Sequence, residues 1–228
     1  AIHVGIYTAA GWRNEAAGVW IMALITATIG TQAAVRLEII SFTDHRFFSP
    51  DLPYLAIILG GALFGIGMVL ARGCASRLTV LTGSGNLRAF TVLVIFAIVS
   101  HATLKGVLAP LRVSISQATM TLPEFAWMPI LWTSFLVLSG SLIVWKSGAQ
   151  LKNFALAALL GLLVPIAWVG TGFVLFDEFD PIAMESLSFT SPASEALFWT
   201  IASTSISAGF GVALLDGVVV GAALLSKL

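Results

Sequence analysis

The residue types able to do chemistry cluster in one stretch. Leu70–Phe90 reads LARGCASRLTVLTGSGNLRAF and holds the single cysteine, Cys74, with Arg72, Arg77 and Arg88. Backbone breakers are interspersed: Gly73 before the thiol, then Gly83, Gly85 and Asn86. In one continuous helix Arg72 and Cys74 would point about 200° apart and could not serve one site. A break at Gly73 removes that conflict, because glycine accepts the backbone angles of a sharp turn. A half-helix then runs over Ala75–Thr82, about 12 Å long and less than half of the roughly 30 Å hydrocarbon core. The Gly83–Asn86 turn ends it, and Asn86 caps the next helix. The first N–H groups of the half-helix, at Ala75, Ser76 and Arg77, lack helical partners, and the helix dipole adds positive charge there. Such a terminus takes anions, and transporters use broken helices at membrane depth for this purpose. The candidate substrate-binding residues are therefore Arg72, Gly73, Cys74, Ala75, Ser76 and Arg77 at the first break, and Gly85, Asn86 and Arg88 at the second. No catalytic or metal-binding residue is expected.

Blander assignments compete with this one. Arginines beside an apolar run snorkel to the membrane surface, and a lone cysteine is commonly a small buried hydrophobe. One cysteine excludes an intramolecular disulfide and a multi-cysteine zinc site. His3, His45 and His101 are too scattered for a metal pattern. His101 and Lys105 read as interfacial. Asp216, which follows Gly209 and Gly211, either faces a water-filled region or caps a helix break. The pairs Gly61/Gly65 and Gly217/Gly221 form GxxxG patterns that predict close helix packing.

The elements that must position these residues follow from composition. The chain is 58% hydrophobic and 10% charged, with a mean hydropathy of +1.01. Soluble domains carry about 25% charged residues, so this is a membrane composition. A net charge of zero gives no global field for nucleic acid. Six apolar runs approach the length of about 20 residues that a span needs: Ala16–Val35, Leu55–Ala71, Ala89–Ala109, Pro129–Trp145, Phe154–Phe176 and Ala196–Leu225, the last broken near Gly209 and Gly211. Runs apolar on nearly all sides predict helices, since open sheet edges go unsatisfied in lipid. The expected fold is all-α, a polytopic transmembrane helical bundle with broken or re-entrant half-helices, forming a single membrane domain over residues 1–228. Basic Lys146–Lys152 is placed inside the cell and the acidic segment Asp177–Glu195 outside.

Gly60–Phe90, GGALFGIGMVLARGCASRLTVLTGSGNLRAF, resembles the signature of the YeeE/YedE sulfur-transport family. IYTAAGWRN (Ile6–Asn14) and FDPIAMESLSFTSPASEAL (Phe179–Leu197) extend the resemblance over most of the chain. The resemblance implies inverted repeats, with a first repeat at about 1–110 and a second from about 129, and a narrow path where thiol hydrogen bonds pass thiosulfate along. Cys74 matches the motif cysteine, followed in strength by Arg72, Arg77, Asn86 and Arg88. Two departures stand out: no cysteine lies near Ile6 and Tyr7, and no second Gly-Cys motif follows. The sequence therefore reads as stopping short of the second copy, with a divergent half that needs a partner subunit as the alternative. The expected function is a bacterial inner-membrane, multi-pass permease for thiosulfate or a related small sulfur-containing anion. It is expected to be non-enzymatic, without a cofactor, and with the lipid bilayer and the sulfur anion as partners. Three alternatives remain: a membrane-embedded sulfurtransferase with a persulfide on Cys74, a selenium-compound transporter, and a membrane subunit that docks a cytoplasmic sulfur-carrier protein. The chain has no P-loop for nucleotide hydrolysis.

Overall fold

A computed structural model describes residues 14–42, 51–121, 129–176, 179 and 183–226. The N-terminal resemblance segment, apart from Asn14, lies outside the described residues, as do His3, His45, Asp177, Glu178 and Asp180. The described chain is almost wholly helical, and five helices are long and apolar enough to cross a membrane. The all-α, polytopic expectation is met. The elements are α1 (Asn14–Arg36), β1 (Asp51–Leu52), α2 (Tyr54–Ala71), α3 (Ala75–Gly83), α4 (Leu87–Leu104), α5 (Ala109–Ser116), β2 (Met120–Thr121), α6 (Pro129–Ser147), α7 (Leu151–Val169), α8 (Thr190–Ala202) and α9 (Phe210–Leu225). The two short strands pair. A π-helical turn, Gly170–Val174, follows α7 directly.

Two compact units divide the chain, Ala1–Asp51 with Thr121–Leu187 and Leu52–Met120 with Ser188–Leu228. Each draws helices from both sides of the expected repeat boundary. In the first unit α1 packs against α6 and α7, and small residues set the approach. Gly161 of α7 meets the Ala23 carbonyl and Thr26, and Gly30 of α1 meets Pro165. Gly18 lies on Ser147, and Gly140 lies on Ile21 and Ile25. This register runs α6 antiparallel to α1. Lipid tails are as apolar as leucine, so helices in a bilayer associate through close backbone approach more than through burial of oily side chains. The buried Thr171 hydroxyl donates to the Glu185 carbonyl (2.8 Å) and accepts from the Glu185 amide (3.0 Å), which ties the returning segment to the end of α7.

In the second unit α3 packs on α4 and α9, α4 on α8, and α8 on α9. Ala97, Ala193 and Leu215 form its core, flanked by Phe96, Phe189, Ala196 and Leu197. Helix α2 lies against α5 and buries none of its residues.

Three expectations change. The third span ends at Leu104, where the Gly106 amide turns back to the Ala102 carbonyl (3.1 Å) and Pro110 opens α5. The sixth run is two helices, α8 and α9, separated by Ser203–Gly209. The GxxxG glycines Gly61, Gly65, Gly217 and Gly221 have open space where a side chain would stand. The pattern marks which helices could approach closely; in this chain, glycines outside it do so.

Candidate functional site

Helix α2 ends in a Schellman turn. The Gly73 amide donates to the Met68 carbonyl (3.1 Å) and the Arg72 amide to the Val69 carbonyl (3.2 Å). The break expected at Gly73 is present, but the left-handed residue is Arg72, with φ 57° and ψ 29°. Gly73 serves another purpose. It is buried, and a side chain there would meet Arg77 Cδ at 3.3 Å, so the glycine gives the Arg77 stem room to fold back over the turn.

Cys74 follows in extended conformation (φ −78°, ψ 167°) as the N-cap of α3. Its Sγ lies 3.0 Å from Ser76 Oγ, and either group can donate. The Cys74 carbonyl accepts the Leu78 amide (3.0 Å), so Ala75, Ser76 and Arg77 are the first three residues of α3, whose N–H groups have no helical acceptor. Cys74 is half-buried, Ala75 buried, and Arg72 and Arg77 exposed. Beneath them Thr79 is completely buried and donates to the Ala75 carbonyl (2.9 Å), which fixes the first turn.

The far end of α3 repeats the turn chemistry with glycine in the left-handed position. Gly85 has φ 88°, its amide reaches the Thr82 carbonyl (3.0 Å), and the Asn86 amide reaches the Leu81 carbonyl (3.0 Å). Asn86 Oδ1 accepts the Ala89 amide (3.1 Å), the cap expected from sequence. Gly83 presses on the Val219 carbonyl and Ala222 of α9. Arg88 is exposed in the first turn of α4. The nine residues of α3 span about 13 Å. The candidates thus form two groups: Arg72, Gly73, Cys74, Ala75, Ser76 and Arg77 together at one end, and Gly85, Asn86 and Arg88 at the other.

The charge around the first group has one sign along the chain. Leu52–Met120 contains Arg72, Arg77, Arg88, Lys105 and Arg112 but no aspartate or glutamate. Convergent N–H groups, guanidinium forks and a polarisable thiol can hold an anion that has hard oxygens and a soft sulfur. Among the described residues no group of His, Cys, Asp and Glu could hold a metal.

Two features escaped the sequence reading. Glu195, assigned there to an outer acidic loop, lies in α8 with its carboxylate against Gly209 and Gly211 at the start of α9. The negative charge suits the positive end of that helix. Asp216 is an exposed residue in the middle of α9, so the acid at the break is Glu195. The available signal was SFTSPASEA, in which a proline within the first turn and a glutamate soon after mark a helix start. His101, read as interfacial, places Nδ1 2.9 Å from the buried Ser194 Oγ and stacks on Phe198 at 5.3 Å. It joins α4 to α8; nothing in the local sequence announces a contact between residues so far apart.

Among characterised proteins, the thiosulfate transporter TsuA of Escherichia coli (strain K12) is 23% identical over 240 residues, covering 91% of this chain and 63% of that protein. The chain thus spans less than two thirds of that relative's length. The sequence profile described as Sulphur transport matches residues 6–228, so nearly the whole chain, including both turns around α3, belongs to the YeeE/YedE sulfur-transport family.

Proposed function

We propose that this chain is a non-enzymatic membrane permease, or its conducting part, for thiosulfate or a closely related small sulfur-containing anion. The observation that carries the reading is Cys74 as the N-cap of α3, between the exposed Arg72 and Arg77, in a member of a sulfur-transport family. Substrate oxygens accept hydrogen bonds from the first α3 amides and the guanidinium forks, while the terminal sulfur meets the thiol. Ser76 already holds the thiol at 3.0 Å and acts as its resting partner, exchanged when substrate arrives. Each contact is modest, which suits transport, because a deep well would trap the ion. The TsuA similarity supports thiosulfate among sulfur anions. The cell location follows from the same reading: a multi-pass protein of the bacterial inner membrane.

The test is uptake of radiolabelled thiosulfate into proteoliposomes by wild type and Cys74→Ser, with intact-mass measurement after turnover. The proposal expects most uptake to be lost in the variant, because a hydroxyl binds soft sulfur less well, and no persistent adduct on wild-type Cys74. Equal uptake by the variant removes the thiol from the path. A persulfide mass gain on Cys74 during turnover would move the assignment to a sulfurtransferase.

A further inference from the structure

We propose that a cleft between α1 and α6 in the first unit is a site for an anionic phospholipid, with one acyl chain in the cleft and the phosphate at Arg36. The two helices touch closely where Gly18 meets Ser147 and where Gly140 meets Ile21 and Ile25. Beyond those glycines a cleft of about 490 Å³ lies between the two helices. Ile29, Val137 and Leu138 supply apolar walls, while Arg36, Gln32 and Thr133 supply polarity. Gln32 and Arg36 are one turn apart on the same face of α1.

The polarity has a direction. Arg36 is the last residue of α1 and Ile130 stands in the first turn of α6, so the charged mouth lies at the end of two candidate spans. Deeper positions are apolar, as an acyl chain requires. Among the described residues that line the cleft, Arg36 is the charged one and none is an aspartate or glutamate. A guanidinium fork matches a phosphate diester, and a cation at the mouth favours a lipid with net negative charge over a zwitterionic one. An unfilled apolar cleft would leave its walls without contacts, and lipid is the apolar material at hand.

The experiment uses the full chain in nanodiscs containing equal phosphatidylglycerol and phosphatidylcholine with identical acyl chains. Lipid retained after transfer to detergent is counted by native mass spectrometry. Wild type should retain phosphatidylglycerol about fivefold over phosphatidylcholine, the ratio expected for one cation near a membrane surface. Arg36→Gln should abolish the preference, and Arg36→Lys should keep part of it. Ala33→Phe, which fills the cleft, should reduce retention of both lipids. A thermal melt checks that each variant is folded, and the lysine variant tests the charge without removing it. Equal retention of the two lipids by wild type, a preference that survives Arg36→Gln, or unchanged retention in a folded Ala33→Phe would each overturn the assignment.

Discussion

Arg72 occupies a backbone region that an L-residue with a long side chain rarely visits. Left-handed geometry costs such a residue about 1–2 kcal/mol relative to its ordinary conformations, whereas the equivalent turn after α3 uses Gly85. A costly residue where glycine would be comfortable points to a use for the side chain. Arg72→Gly should therefore raise the melting temperature of the folded protein by about 2–4 °C, as expected for relief of about 1 kcal/mol in a chain this long. The same variant should weaken thiosulfate uptake. Arg72→Lys keeps the charge but loses the planar fork, and should raise the half-saturating concentration by less than the roughly 10- to 150-fold expected from losing a charged hydrogen bond. Substrate titrations of both variants beside wild type decide the matter. Curves that overlap wild type would reduce Arg72 to a snorkelling flank and shift anion binding to the α3 amides and Cys74.

At the scale of elements, glycine contacts separate helices that pack within the chain from those that do not. A methyl group at Gly83 would meet the Val219 carbonyl and Ala222, whereas one at Gly61 would meet open space. Gly83→Ala should cost about 1–3 kcal/mol through overpacking against backbone that cannot move aside. Gly61→Ala should be neutral or slightly stabilising, since alanine is the better helix former by about 1 kcal/mol. Paired thermal melts in one detergent compare them, and equal shifts would contradict the described packing. Gly211→Ala should be costly for a related reason, because its methyl group meets the Pro192 backbone as well as the flexible Glu195 carboxylate. The turns around α3 were legible because cysteine, glycine and asparagine carry local backbone preferences at fixed spacing. The pairing of glycines with partners was not, since it depends on which helix the chain delivers opposite each one. Glu195 and His101 show the same limit: their partners, Gly209 and Gly211 for one and Ser194 for the other, are set by the meeting of α8 with α9 and α4.

Across the whole molecule, large apolar side chains such as Leu63, Val69, Leu159 and Ile166 are exposed, while the buried set is rich in alanine, serine and threonine. Composition made that inversion legible as a membrane bundle, because no soluble fold could leave so much oily surface in water. The interleaving of two units was not legible: apolar runs mark which segments are helical and oily but not which ones associate. Charge is the remaining property of the whole chain. Net charge is zero, yet Leu52–Met120, which carries Cys74 and α3, is cationic, and the described acids of the same unit, Glu195 and Asp216, stand on α8 and α9. Under the proposed function, the prediction is that thiosulfate crosses as a dianion without a compensating ion. Each charge moved against an interior-negative potential costs about 2.3 kcal/mol per 100 mV. Two charges should lower the equilibrium accumulation ratio roughly 2,000-fold at that potential. Proteoliposomes with a potassium gradient and valinomycin set the potential in either direction. Interior-positive vesicles should accumulate thiosulfate and interior-negative vesicles should exclude it. Accumulation that ignores the potential would mean that two positive charges travel with the anion, and would turn attention to Glu195, the carboxylate at the break between α8 and α9, as one group that carries them.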